Sequence, residues 1–247
     1  MTKSVVITGG GTGIGRATAH AFAGAGTGVL IVGRDEANLR ETAKGHDGIQ
    51  ILAADITDPA APDRIVDTAL EELGGLDVLI NNAAVSIYGG LADTTRDQVM
   101  SQLFTNLAAP ILLTRRALDA LEDGGGTVIN VSTSGSIGLR TWPDAAVFGA
   151  SKVALDFLTR TWAVELAPRG IRVVGVAPGV VDSGIGLRMG MPEDAYAAFL
   201  KSMSERTPSG RTGATGEIAW WITQLVRPEA AFVNGTVIPV DGGLSLT

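Results

Sequence analysis

The 247-residue chain contains no cysteine. That absence excludes disulfides, thiolate nucleophiles and cysteine-based metal sites, and no metal centre is expected. It also fits a cytoplasmic location. Basic residues are outnumbered, with 19 Lys and Arg against 26 Asp and Glu, for a net charge of −7. No cationic excess is available to neutralise a phosphate backbone, so no nucleic-acid partner is expected. No apolar stretch is long and charge-free enough to span a bilayer. The chain runs almost at once into the strand-like Ser4–Thr8, so no secretory leader is expected. Tyrosine is scarce: Tyr88 and Tyr196 are the only phenols.

Glycine, by contrast, is abundant at 33 residues, which suits a fold with many tight strand-to-helix turns. Short continuous apolar runs recur at Val5–Thr8, Val29–Val32, Ile49–Ala53, Val78–Asn81, Thr127–Val131, Val173–Ala177 and Thr236–Val240. Such runs fit strands buried on both faces of a parallel sheet. Helical patterns lie between them at Ile14–Ala25, Pro59–Leu73, Thr95–Leu121 and Val147–Leu166. Pro110 should kink or break the third of these. The alternation predicts an α/β fold in which a single doubly wound parallel sheet of about seven strands carries helices on both faces. One domain spanning 1–247 is expected. The segment 181–213 mixes Gly, Ser, Met and charged residues around a short helical pattern at Pro192–Ser204. It reads as a flap over a site.

Thr8-Gly9-Gly10-Gly11-Thr12-Gly13-Ile14-Gly15 joins the first strand to the first helix. Glycines there let the backbone turn sharply and approach a pyrophosphate, while the helix N-terminus offers N–H donors. Farther along come Asp55-Ile56, Asn81-Asn82-Ala83-Ala84, Pro178-Gly179-Val180-Val181-Asp182-Ser183, Asn234-Gly235 and Val240-Asp241-Gly242-Gly243. Phe148-Gly149-Ala150-Ser151-Lys152 sits in the most apolar helix candidate.

In this order, these segments resemble the short-chain dehydrogenase/reductase family over almost the whole chain. The first matches the family's T-G-x-x-x-G-x-G spacing, the third its N-N-A-G with Ala84 for the last glycine, and the fourth its P-G-x-x-x-T. The resemblance implies a Rossmann-type sheet. It also implies an enzyme that binds NAD or NADP through Gly9, Thr12, Gly13, Ile14, Gly15, Arg34, Asp55, Ile56, Asn82, Ala83, Ala84, Lys152, Pro178, Gly179, Val181 and Ser183. After the second strand an NAD site usually has a carboxylate on the ribose hydroxyls. Gly33-Arg34 stands there instead, and an arginine can hold a 2′-phosphate, which favours NADP. Asp35 beside it and Thr12, where many NADP-binding relatives are basic, point the other way.

The family's catalytic set is Asn, Ser, Tyr and Lys. Asn106 and Lys152 match the first and last. The serine position falls on Thr133 when counted from Asn130, and between Ser134 and Ser136 when counted back from residue 148, so Thr133 and Ser134 are both candidates and Ser136 a lesser one. The tyrosine position is occupied by Phe148, which keeps the ring and lacks the acid. Losing a positioned general acid costs roughly 10²–10⁴-fold in rate. Three readings stay open. One is an oxidoreductase acting on a moderately hydrophobic carbonyl or alcohol with another proton source: Tyr88, Tyr196, or water held by Asn106 and Lys152. A second is a repurposed cyclase, isomerase or cofactor-binding protein. The third is an engineered Tyr-to-Phe variant. The pocket is expected along 86–90, 134–143 and 181–199. The resemblance also implies a homotetramer or homodimer built through the helices at Thr95–Leu121 and Val147–Leu166. Trp162 is a candidate interface anchor, as is one of Trp220 and Trp221, the other facing the core.

Overall fold

A computed structural model describes residues 4–139, 141–188 and 190–247 of the chain. Seven parallel strands form one sheet: β1 (Ser4–Thr8), β2 (Gly28–Gly33), β3 (Ile49–Ala53), β4 (Val78–Asn81), β5 (Thr127–Val131), β6 (Arg172–Pro178) and, last in the chain, β9 (Val237–Val240). Their spatial order is β3-β2-β1-β4-β5-β6-β9. Between β6 and β9, the short strands β7 (Val181–Asp182) and β8 (Gly213–Ala214) pair in parallel and bracket the segment expected to be a flap.

Strand periodicity sorts the core into two layers. Val5, Ile7, Val29, Ile31, Ile80, Ile129 and Val174 face one side. There they meet Ala19 and Phe22 of α1 (Gly13–Gly24), Leu39 of α2 (Glu36–Ala43), and Ile218, Ile222 and Leu225 of α9 (Thr215–Leu225). Val6, Leu30, Val32, Leu79, Val128 and Val173 face the other side. Their partners are Ile65 and Ala69 of α3 (Ala61–Leu73), Leu113 and Leu121 of α5 (Ala109–Glu122), and Ala163 of α6 (Ala146–Glu165). Burial on both faces is why these strands lack apolar–polar alternation.

The chain moves outward from β1 through β2 to β3, then crosses back to place β4 beside β1. The C-terminal ends of β1 and β4 therefore flank the point where strand order reverses, the crevice where open α/β sheets take ligands. Thr8 and Asn81 are the residues at those ends.

Several boundaries differ from the sequence expectation. The segment Thr95–Leu121 is not one helix. It is α4 (Arg96–Leu103), a π-helical turn at Phe104–Ala108, and α5. The interruption lies N-terminal to Pro110, because a proline withholds its N–H from the carbonyl four residues earlier, that of Asn106. Pro59 does not start a helix; α3 begins at Ala61, with proline in its first turn. The short, polar α2 and the β7–β8 pair had no apolar periodicity to announce them. Trp220 and Trp221 are both exposed, at 55% and 38%, and meet edge to face. Neither faces the core, because Ile218, Ile222 and Leu225 form the inward stripe of α9. Trp162 is partly buried and packs on the second core layer.

Ile129 is fully buried at the centre of the sheet. Ile129→Ala is expected to lower unfolding free energy by about 2–5 kcal/mol, read from the midpoint and slope of urea denaturation.

Candidate active site

The turn after β1 is held by a brace from β4. Gly9 has φ +68°, a conformation that favours glycine. A Cβ on Gly15 would stand 2.2 Å from the Gly9 carbonyl oxygen, so only glycine lets α1 start this close to the turn. Asn82 Nδ2 donates to the carbonyls of Thr8 and Gly9, at 2.9 and 3.2 Å. Thr8 Oγ1 accepts from the N–H groups of Asn82 and Ala83, each at 3.1 Å. The amide of Asn82 thus serves the turn itself. Ala84 follows with no positive φ, so the loop forms without the family's glycine. Thr12 is the N-cap of α1 in an extended conformation, with no side-chain cap bond. No acidic residue occupies the first turn of α1, which leaves its positive end open to an anion. Ile14 packs on the first core layer.

Around this cradle, Arg34 is exposed at the end of β2. Asp35 is turned toward its own helix, accepting from Asn38 N–H at 3.1 Å and from Asn38 Nδ2 at 2.6 Å. Asp55 is held below the usual carboxylate range, chiefly by the Thr57 N–H, with the Thr57 hydroxyl and the Arg34 charge acting in the same direction and burial opposing them. Ile56 packs on the second layer. Gly179 donates to Val240 O, and a Cβ on it would meet Asp241 Cα at 2.7 Å. Val181 is buried, and Ser183 Cβ lies 3.3 Å from where a Cβ on Gly13 would be.

Asn106 sits in the π-helical turn and is fully buried. Its side chain is spent: Oδ1 accepts from Val85 N–H at 2.8 Å, and Nδ2 donates to Val85 O at 2.8 Å and Ser151 Oγ at 3.1 Å. Its backbone carbonyl receives no bond from residue 110, because proline has no N–H. Lys152 is 2% exposed, and Nζ donates to Val131 O at 2.8 Å. Burial pulls its pKa down to about 8, against the opposing charge of Asp156. Asp156, one turn on, is itself pushed up by burial and accepts from Ser136 Oγ at 2.5 Å.

Of the three hydroxyl candidates, Ser136 is therefore committed to Asp156. Thr133 is half-buried, and its Oγ1 accepts only a long 3.4 Å bond from Gly135 N–H. Ser134 is buried at 3% exposure. Phe148 is half-buried, 5.9 Å from Lys152 Nζ by its ring centroid. Trp142 stacks edge-on against it at 5.6 Å, and a Cβ on Gly135 would strike the indole at 2.2 Å. A cleft lined by Ile87, Tyr88, Gln98, Gln102, Trp142 and Val147 opens beside this aromatic pair. Tyr196 is not part of it. Its hydroxyl donates to Asp182 Oδ1 at 2.9 Å and accepts from Gly184 N–H at 3.1 Å, which makes it an internal staple of the 181–213 segment. Within the expected pocket segments, Arg140, Met189 and the side chain of Leu139 lie outside the described residues.

A family model described as enoyl-(acyl carrier protein) reductase matches residues 9–245. An uncharacterized oxidoreductase of Thermotoga maritima is 37% identical over 98% of this chain and 96% of its own. A Caenorhabditis elegans short-chain dehydrogenase/reductase solved with cofactor superposes with a TM-score of 0.94 at 36% identity, covering 99% and 96% of the two chains. A Brucella melitensis 3-ketoacyl-(acyl-carrier-protein) reductase complexed with NADH gives 0.88 at 28% identity, covering 98% of each. The chain belongs to the short-chain dehydrogenase/reductase family. It is an NAD(P)-dependent oxidoreductase.

Within this short-chain dehydrogenase/reductase the residues fit a nicotinamide cofactor on two structural grounds. The glycine turn packs so closely on Asn82, Ala83 and its own Gly9 carbonyl that no Cβ fits at Gly9 or Gly15, and the α1 N-terminus that it places carries no acidic residue to compete with a diphosphate. Lys152 brings a buried ammonium with three donors to a site where one protein carbonyl accepts from it. Sequence reading gave no individual role to Asp156 or to Trp142, although Trp142 lies in the segment 134–143 expected to line the pocket. For Asp156 a signal existed: an acid one turn after Lys152 on a largely apolar helix. The contact of Trp142 with Gly135 had none, because it depends on the path of the loop. Among the described residues, no group of three or more His, Asp or Glu could hold a metal ion, and no helix is long and apolar enough to cross a membrane.

The Lys152 shift has a thermodynamic consequence. Its folded pKa of about 8 lies below the ordinary value of 10.5, so between these values the unfolded chain binds the extra proton. Stability should therefore rise with pH across that window. Thermal melts of native protein and Lys152→Met are expected to show this rise only in the native chain. Parallel curves above pH 8 would contradict it.

Proposed function

We propose that the chain prefers NADP and interconverts a carbonyl and an alcohol on a moderately hydrophobic substrate, with a proton step that does not pass through residue 148. One observation carries the reading: Lys152 is buried, under-bonded and tuned toward neutrality beside a glycine cradle braced for a dinucleotide. The cofactor, when bound, supplies or accepts a hydride. Everything else falls to the chain.

In this reading Gly9, Thr12, Gly13, Ile14 and Gly15 receive the diphosphate. Asp55 and Ile56 bound the adenine, and Ala83, Ala84, Pro178, Gly179, Val181 and Ser183 frame the nicotinamide half. Asn82 braces the turn. Lys152 holds the nicotinamide ribose. Thr133 or Ser134 donates to the substrate oxygen, Thr133 being the more exposed of the two and Ser136 being committed to Asp156. Phe148 with Trp142 forms an apolar wall that orients the substrate and excludes water. Protons reach the substrate oxygen from a water held at the Asn106 carbonyl and recharged by Lys152, whose pKa of about 8 suits exchange near neutral pH. Tyr88, 54% exposed, belongs to the substrate cleft. The segment 181–213 closes over the substrate as a flap within one domain.

NADP preference rests on the exposed Arg34, with Asp35 diverted into capping α2. A homotetramer or homodimer is supported by exposed apolar side chains on the two long helical segments, notably Phe104, Leu112, Phe157 and Val164. A cytoplasmic location accords with the lack of cysteine.

Phe148→Tyr is expected to leave turnover within a few-fold of the native value, measured as NADPH oxidation against a panel of hydrophobic ketones. A gain of roughly 10²–10⁴-fold would instead mean that the native chain lacks a working proton donor and would overturn the water route. Arg34→Glu is expected to weaken NADPH at least about tenfold and NADH far less, compared by titrating both cofactors. Equal effects on the two would remove the NADP assignment.

A further inference from the structure

The segment after β7 carries a second cation to the glycine turn. Arg188 ends the short helix α7 (Ile185–Arg188), and its Nη1 donates to Ser183 O at 2.9 Å. That bond folds the side chain back over the turn. Its Nη2 lies 3.6 Å from the point where a Cβ on Gly13 would stand, beside the Ser183 Cβ at 3.3 Å from the same point. Gly13 has φ +54° and opens α1, so Arg188 hovers at the positive end of that helix.

This placement lacks a protein counter-charge. Among the described residues, no carboxylate makes an ion pair with Arg188. Besides burial, the groups that act on Arg188 are the Tyr196 phenol, which favours its charged form, and the Arg16 guanidinium, which opposes it. Desolvation against the turn lowers the basicity of Arg188, and Arg16 adds to that effect. Arg16 itself is consumed by structure, with Nη2 on Gly11 O at 2.7 Å and Nε on Thr42 Oγ1 at 2.9 Å. Arg188, held by one carbonyl, thus shares the N-terminal end of α1 with the charge of Arg16 and has no carboxylate bonded to it. An anion is what relieves such an arrangement.

We infer that Arg188 is a phosphate clamp: it binds the diphosphate of the nicotinamide dinucleotide from the flap side, so that the 181–213 segment is held over the glycine turn by the cofactor's own charge. This rests on the cofactor reading above and adds a residue from outside the nucleotide-binding turns. The flap's order then depends on the cofactor before any substrate arrives. Arg188 is an exposed side chain, so replacing it leaves the core intact.

The test is fluorescence titration of NADPH into native protein, Arg188→Gln and Arg188→Lys at a series of salt concentrations. Gln keeps a donor for Ser183 O and removes the charge, whereas Lys keeps the charge and loses the fork. Arg188→Gln is expected to weaken NADPH at least about tenfold and to flatten the salt dependence, with Lys intermediate. Native-like affinity in Arg188→Gln overturns the clamp and leaves the cofactor reading standing. Equal weakening in both variants with unchanged salt dependence also overturns it, since the charge of Arg188 then plays no part in binding. A native protein that binds no NADPH overturns both readings.

Discussion

The brace between β4 and the glycine turn is the constraint on which the site depends. Asn82 spends its amide on two carbonyls of the neighbouring strand end, and Thr8 returns its hydroxyl to two N–H groups of the β4 loop. These bonds join the two strands at the reversal of sheet order. They hold the Gly9 carbonyl so close to Gly15 that no side chain fits between. The axis of α1 is thereby fixed relative to the sheet, and its N-terminus points into the crevice. The loops after β3 and β6 then take their places around a turn held by these bonds.

The second half of the site is governed by burial of charge. Lys152 and Asp156 sit one turn apart on α6, each destabilised in its charged form by desolvation. Each opposes the other's shift, and Ser136 supplies a hydrogen bond to the carboxylate. A buried lysine kept near neutrality can exchange a proton without a phenol beside it. Phe148 then ceases to be a simple gap. It is one wall of an aromatic pair, with Trp142 seated on Gly135, that makes the reacting region apolar. In the proposed function, nucleotide binding follows the family and proton delivery does not pass through residue 148.

Much of this was legible in the chain because parallel strands buried on both faces leave unbroken apolar runs, as at Val29–Val32 and Val78–Asn81. The glycine spacing from Gly9 to Gly15 was legible because steric close approach admits no other residue. Other features were hidden for physical reasons. The eight-residue α2 is too short and polar to show a period. Pro110 announced an interruption but not its position, since the bond it withholds belongs to Asn106. The roles of Trp220 and Trp221 turned on helical phase, which the stripe of Ile218, Ile222 and Leu225 settles. Tyr196 looked like an available acid until Asp182 and Gly184 were seen to hold its hydroxyl. Arg188 and Trp142 reach the site only through the paths of their loops, which no spacing encodes.

Cofactor binding should be blind to residue 148 if the two halves of the site are separable in this way. The direct measurement is the dissociation constant of NADPH for the native chain and Phe148→Tyr, titrated in parallel. The account expects one NADPH bound per chain and constants that agree within about twofold, less than half a kcal/mol. Failure of the native chain to bind, or much tighter binding once the tyrosine is supplied, would contradict it.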